Sequence, residues 1–121
     1  MRFATLCIAL LAAFHQTAGA APAKSITCTY SGQALTFAVP KKLGDLPPIE
    51  FDYPAKVTLF SFRDNNLLLV AMDEAETSRV RIVISAQRGK GKASYDGQIL
   101  TDSGGNQLML DNGPVSCKAS G

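Results

Sequence analysis

Tryptophan is absent from the chain of 121 residues, and histidine occurs only once, at position 15. Aromatic residues make up 7% of the sequence, which is poor material for stacking sugars or single-stranded nucleic acid. Beyond His15 no imidazole remains for a Ser-His-Asp or Cys-His arrangement or for a zinc or copper site. No glycine loop has the spacing that cradles phosphate at the start of a helix. The sequence therefore predicts no cofactor and no metal site.

The long apolar run of the sequence lies at its beginning. Arg2 precedes the uncharged residues 3–14, and the small-residue triplet Ala18-Gly19-Ala20 follows. This order is typical of a secretory signal peptide, and the run is shorter than the roughly 20 residues that span a bilayer. We predict a signal peptide over residues 1–20, a single domain over residues 21–121 without a membrane anchor, and a periplasmic or secreted location.

Neither sign of charge dominates the composition. The chain carries 12 Lys and Arg against 10 Asp and Glu, a formal net charge of +2, and cleavage of the predicted signal would remove Arg2 as well. A charge so close to balance favours neither nucleic acid nor an anionic membrane surface as a partner. We expect an unidentified protein partner and no nucleic acid.

Two cysteines, Cys28 and Cys117, lie near the two ends of the predicted domain. An even pair in an exported chain favours a disulfide over two free thiols. The bond would close a loop of almost the whole domain, for which chain entropy gives roughly 4–5 kcal/mol of stabilisation.

Apolar residues beyond position 25 recur at period two or in short runs between turn residues, which is the pattern of strands. Short connections predict antiparallel neighbours, and thus an all-β sandwich or small barrel of seven or eight strands. A disulfide between the first and last strands would bring two sheet edges together, which favours the barrel. Helix is the alternative for residues 66–76. Seven strands are predicted at residues 26–30, 34–39, 56–62, 67–72, 79–86, 93–101 and 107–111, and residues 49–53 would add a short edge strand. A break is predicted at residues 112–114, and residues 115–117 complete the domain.

Five basic residues fall in one predicted hairpin. The alternation of residues 79–86 places two of them, Arg79 and Arg81, on the solvent face of the hairpin. Taken alone, the cluster is interpreted first as a sheet edge protected from aggregation by charge and neutralised by the nearby Asp73, Glu74 and Glu76. The alternative is a contact for an acidic partner. The candidate binding residues are Arg79, Arg81, Arg88, Lys90 and Lys92, together with the adjacent Tyr95.

Carboxylates are the remaining candidates for chemistry, because a pair of them can act as acid and base. Most lie in predicted turns or at strand ends, where Asp and Asn commonly bond the local backbone. Asp73, Glu74 and Glu76 offer oxygen ligands for calcium, but their spacing is not that of an EF-hand. The sequence therefore predicts a protein that is not an enzyme, with a carboxylate-dependent hydrolase as an alternative.

The layout of three segments resembles the exported inhibitors of chicken-type lysozyme. These are Thr27-Cys28-Thr29-Tyr30 leading into an alternating strand, the turn at residues 63–66 before an apolar strand, and Leu110-Asp111-Asn112 ahead of Cys117. The resemblance implies an antiparallel β-barrel, a disulfide from an early strand to the last one, and inhibition of a hydrolase. The family's Ser-Gly-x-x-Tyr loop is absent, and Ser94-Tyr95 is the nearest equivalent.

These observations favour an exported, non-enzymatic binding module that contacts an unknown ligand through the basic hairpin of residues 79–92. An inhibitor of an extracellular hydrolase such as lysozyme is the alternative.

Overall fold

A computed structural model describes residues 23–121, so the predicted signal peptide lies outside the described residues. This part of the chain is all-β, as the sequence predicts, and it holds no helix that is long and apolar enough to cross a membrane. The strands are β1 (Ser25–Tyr30), β2 (Gln33–Ala38), β3 (Ala55–Arg63), β4 (Asn66–Asp73), β5 (Val80–Arg88), β6 (Ser94–Asp102) and β7 (Leu110–Ser120).

The seven strands form one antiparallel sheet in the order β2-β1-β7-β6-β5-β4-β3. The sheet curls into a half-barrel whose edge strands are β2 and β3. We call the open side between these two strands the seam. Residues 39–54 connect β2 to β3.

Tight turns hold consecutive strands in register. Ser31 and Gly32 between β1 and β2, and Asp64 and Asn65 between β3 and β4, all have positive φ. Two such residues in succession make the type I′ turn, whose twist matches that of the strands it joins. The turn at residues 63–66 leads directly into β4, so residues 66–73 form a strand and the helical alternative is wrong.

The core lies inside the curl. Leu67, Leu69 and Ala71 of β4 are buried and alternate with half-buried residues, so one face of this strand is fully covered and the other is partly exposed. Ile84 of β5 and Ile99 of β6 pair with each other and are likewise buried. This alternation is what a curled sheet with one covered face requires.

The disulfide between Cys28 and Cys117 is confirmed, with both residues fully buried and a sequence separation of 89. The two cysteines are direct cross-strand partners in the β1–β7 ladder. Because β1 and β7 are neighbours inside the sheet, the bond does not join two edges as the sequence suggested. The half-barrel remains open at the seam.

Two strand predictions are wrong, and both involve proline. Residues 49–53 form no ladder, although Ile49, Phe51 and Tyr53 still pack inward against the core. Prolines on both sides of this segment cannot donate to a ladder. The predicted strand at residues 107–111 and the break around Pro114 are also wrong, because one strand, β7, begins at Leu110 and runs through Pro114. β1 pairs with β7 only from Ser116 onward, so Pro114 has a neighbouring strand on one side alone, where a missing donor is tolerated.

Candidate functional site

The antiparallel sheet sorts the charged residues to its two ends. One end of the sheet, which we call the basic end, consists of five chain segments. They are the start of β1, the residues after β2, the β3–β4 connection, the β5–β6 connection and the end of β7. The part of the chain that the structure describes places eight cations here, all exposed: Lys24, Lys41, Lys42, Arg63, Arg88, Lys90, Lys92 and Lys118. The acids at this end are Asp45, Asp64 and Asp96.

The opposite end, which we call the acidic end, carries the reverse balance. Its acids are Glu50, Asp52, Asp73, Glu74, Glu76, Asp102 and Asp111, and its cations are Lys56, Arg79 and Arg81. The ion pairs found among residues 23–121 all lie here, and they join the two arginines to Asp73 and Asp102.

The structure divides the predicted basic hairpin between these two ends. Strand β5 has 9 residues and is about 30 Å long at 3.3–3.4 Å per residue. Arg79 and Arg81 lie at its start, whereas Arg88, Lys90 and Lys92 lie at its end or in the following loop. The five residues therefore form no single patch.

Arg81 does not face solvent, contrary to the prediction from alternation. Its side chain is 2% exposed, and the pairing of β4 with β5 shifts register at this point, from Ala71↔Ile82 to Met72↔Val80. Arg81 is thus the extra residue of a β-bulge, which interrupts the alternation. Arg81 and Ile82 are both buried in consequence, while Val80 is exposed.

Buried Arg81 has a partner for each part of its guanidinium group. Nε donates to Asp73 Oδ1 at 2.7 Å, and Nη1 donates to the carbonyl oxygens of Asp102 at 2.8 Å and Gly104 at 2.7 Å. The ring of Tyr53 lies against it, with the guanidinium carbon 5.4 Å from the centroid. A buried charge requires this degree of pairing, because desolvation otherwise costs several kcal/mol.

The side chain of Arg79 was also expected to face solvent, but it is only 11% exposed. It forms a bidentate pair with Asp102, from Nε to Oδ2 at 2.7 Å and from Nη2 to Oδ1 at 3.1 Å. Its other bonds go to the carbonyls of Gly104 and Gly105. Asp102 itself accepts the backbone N–H groups of Gly104 and Met109. The four charged side chains thus fix the loop between β6 and β7.

Hydrogen bonds hold both buried carboxylates in the ionised form. The pKa of Asp102 is lowered, chiefly by the Arg79 guanidinium and then by the Met109 N–H. The pKa of Asp73 is lowered by the Glu76 N–H first and by Arg81 second. A general acid needs a raised pKa, so neither of these two carboxylates is suited to that role. Among residues 23–121 no three acidic, histidine or cysteine side chains group as metal ligands.

A cleft of about 450 Å³ adjoins this network at the acidic end. Tyr30 and Tyr53 line it together with Asp52 and Leu110. Burial raises the pKa of both tyrosines, with the charge of Asp52 adding to the effect. Leu110 is 61% exposed at its rim.

At the basic end the predicted residues Arg88 and Tyr95 lie together. They are direct partners in the β5–β6 ladder, and the Arg88 guanidinium lies 5.9 Å from the Tyr95 ring centroid. Arg88 also donates to Asn65 Oδ1 from Nη2 at 2.8 Å, and Phe62 packs against Tyr95 at 5.2 Å between ring centroids. Lys90 and Lys92 extend from the adjoining loop into solvent.

A second cleft, of about 470 Å³, opens beside this end of the seam. The rings of Phe60 and Phe62 and the residue Leu43 supply its apolar lining, and Lys41 and Arg63 belong to its charged wall. Sequence reasoning missed this cleft. Residues 41–44 read only as a solvated loop, and their approach to β3 depends on how the sheet curls.

Comparison with known proteins gives no relative for this chain. No family model matches it, and no curated protein or solved structure is similar to it.

Proposed function

We propose that the protein is an exported, non-enzymatic binding module that contacts an acidic partner protein through its basic end. One observation carries the proposal: eight exposed cations share this end with three acids, and the ion pairs of residues 23–121 lie at the other end. Unpaired exposed cations remain available to a partner, and a concentrated field of one sign speeds the encounter with a surface of opposite sign.

The proposed contact keeps Arg88, Lys90, Lys92 and Tyr95 of the predicted hairpin and leaves out Arg79 and Arg81. Arg88 is oriented by Asn65 and Tyr95, so part of the cost of ordering its side chain is already met. The lysines of the loop between β5 and β6 add charge without a fixed geometry. This combination suits recognition of carboxylates on a partner surface.

Charge reversal tests the site. A labelled peptide of ten glutamates serves as the probe, and its affinity for protein produced from the full-length chain is measured by fluorescence anisotropy at low salt. We expect Lys90→Glu with Lys92→Glu to weaken binding at least tenfold, because attraction becomes repulsion. The matched pair is Lys90→Glu against Lys56→Glu, which makes the same charge change at an exposed lysine of each end. Equal losses from those two single variants would mean that only net charge matters.

Export to the periplasm or the medium is part of the same proposal. The predicted signal peptide supports it, and the Cys28–Cys117 disulfide fits an oxidising compartment outside the cytoplasm. Mass spectrometry of the native protein should find a chain that begins at Ala21 and has no free thiol.

Inhibition of a lysozyme stays a prediction from the resemblance in layout. The test is a turbidity assay in which the protein is titrated into a chicken-type lysozyme acting on bacterial cells. Full lysozyme activity at a stoichiometric excess of the protein would remove this alternative.

A further inference from the structure

The edge of β3 at the basic end presents free backbone groups to the seam. Asp64 and Asn65 form a two-residue turn, so Arg63 and Asn66 are a hydrogen-bonded pair. Hydrogen-bonded and non-bonded pairs alternate along an antiparallel ladder. Phe60 and Phe62 therefore point their N–H and C=O groups away from β4, and no other hydrogen-bond partner for these groups is found within residues 23–121.

The opposite side of the seam has the same character. The β1–β2 hairpin closes with the pair Tyr30↔Gln33, and the same alternation makes Thr36 and Ala38 of β2 point outward. Beneath the seam the rings of Phe37 and Phe60 meet edge to face, 5.8 Å between centroids. Within residues 23–121, two edges without a pairing strand thus flank an apolar floor.

The direction of the two edge strands suits an added strand. Strand β2 ends at Ala38 beside the start of β1, and strand β3 ends at Arg63 beside the start of β4. Both strand ends lie at the basic end, so β2 and β3 run in the same direction. A strand placed between them would be antiparallel to both, as in a closed barrel. Residues 49–53 of the chain run in that direction, but they reach only the acidic side of the core, where Arg81 lies over Tyr53.

The open part of the seam is the cleft of about 470 Å³ beside residues 60–63. Three exposed cations line it, namely Lys41, Lys42 and Arg63, against the single acid Asp45. Leu43, which is 78% exposed, adds apolar surface at the same place. The three cations that line the cleft favour an anionic ligand. The free backbone groups of Phe60 and Phe62 favour a ligand that can form the hydrogen bonds of a β-ladder.

We propose that the seam beside Phe60 and Phe62 binds an extended acidic segment of a partner protein, which adds to the edge of β3 as a short antiparallel strand. Main-chain hydrogen bonds to Phe60 and Phe62 supply affinity, in the manner of other strand additions. Alternate side chains of the segment point inward over the aromatic floor and outward to solvent. The preferred sequence alternates apolar and acidic residues, and the acids meet Lys41, Lys42 and Arg63. This mode rests on the proposed function, since it specifies how the acidic partner is held.

Amide hydrogen exchange measured by NMR tests the strand addition directly. The probe is a six-residue peptide that alternates glutamate and valine, added to protein from the full-length chain. We expect exchange of the Phe60 and Phe62 amides to slow at least tenfold at saturation. The Ser61 amide serves as the internal reference, because Ser61 faces β4 opposite Leu68 and is already bonded there. Binding without slower exchange at Phe60 and Phe62 would overturn the proposal.

A chemically modified peptide separates the backbone contribution from charge. N-methylation of alternate amides removes ladder donors and leaves the charges in place, so we expect it to weaken binding at least tenfold. Equal affinity of the methylated and unmodified peptides would contradict strand addition.

Variants distinguish this mode from the proposed surface. Lys41→Glu with Lys42→Glu should weaken the alternating peptide more than Lys90→Glu with Lys92→Glu does. If Lys90→Glu with Lys92→Glu abolishes polyglutamate binding and the Phe60 and Phe62 amides show no protection, the basic end binds anions without strand addition. If the Phe60 and Phe62 amides are protected but Lys90→Glu with Lys92→Glu affects the binding of neither peptide, the seam is the binding site. The proposed surface on the loop between β5 and β6 would then be wrong.

Discussion

The two ends of the half-barrel use the same residue types for different purposes. At the acidic end Arg81 is 2% exposed and bonded to Asp73, Asp102 and Gly104. At the basic end Arg88, on the same strand, is exposed and bonded to Asn65 beside an aromatic ring. Burial therefore decides whether an arginine of β5 serves to hold loops in place or remains available to a partner.

The largest expected effect comes from making the same substitution at these two arginines. Arg81→Met leaves the Asp73 carboxylate without its buried cation and two carbonyls without their donor, so we expect a loss of about 3–5 kcal/mol in the free energy of unfolding. Arg88→Met removes only exposed interactions and should cost less than about 1 kcal/mol. Urea denaturation followed by circular dichroism measures both values.

Binding should reverse that order. Because Arg81 is enclosed, its replacement should leave affinity for the polyglutamate peptide unchanged in the folded fraction, whereas Arg88→Met should weaken it. Comparable losses of stability from the two variants would mean that the two ends do not differ as the geometry indicates.

Acid should destabilise the protein, and the two buried carboxylates of the acidic end should contribute most of the loss. At the basic end the pKa of exposed Asp96 is also lowered, by hydrogen bonds from Ser116 and Ser94. The folded-state pKa values of Asp73 and Asp102 lie below the unfolded value of 3.8. Their contribution to stability is therefore fully present well above pH 4 and is lost as pH falls through the folded pKa values. We expect the free energy of unfolding to decline as pH falls below about 5 and to continue declining below about pH 2.

Asp102→Asn tests the origin of that decline. The variant should be less stable at neutral pH, because an amide cannot accept both Arg79 bonds, and its stability should depend less on pH below about 5. The exposed Asp64 provides the matched control, so Asp64→Asn should keep the wild-type slope. An unchanged slope in Asp102→Asn would assign the acid sensitivity to other carboxylates.

The fold could be predicted from the sequence because its signals are local. Period-two alternation along residues 79–86, together with Ser31-Gly32 and residues 63–66 as turns, marks strands whose neighbours must be antiparallel. The sequence did not indicate how far the sheet closes. Closure depends on strand tilt and register across all seven strands, and a disulfide between adjacent strands does not constrain it.

The candidate sites could be predicted only in part, for a related reason. Arg88, Lys90, Lys92 and Tyr95 follow from a hairpin, which is a local element. The burial of Arg81 follows from a bulge opposite β4, and the segment from Val80 to Ala86 alternates without any mark of that extra residue. The seam cleft needs residues 41–44 and 60–63 to meet, which is a tertiary contact with no local signal.

The smallest expected effect is the change in the free energy of unfolding when an exposed charge is removed. It tests whether burial or the sign of the charge decides which charged residues stabilise the fold. Glu74 and Lys90 are both exposed, one at each end. If burial alone decides which charges stabilise the fold, Glu74→Gln and Lys90→Gln should each change the free energy of unfolding by less than about 0.5 kcal/mol. If instead the acidic end depends on its total negative charge, Glu74→Gln should destabilise the protein while Lys90→Gln does not. Urea denaturation of the two variants at low and at high salt decides between these outcomes, because screening suppresses only the second effect.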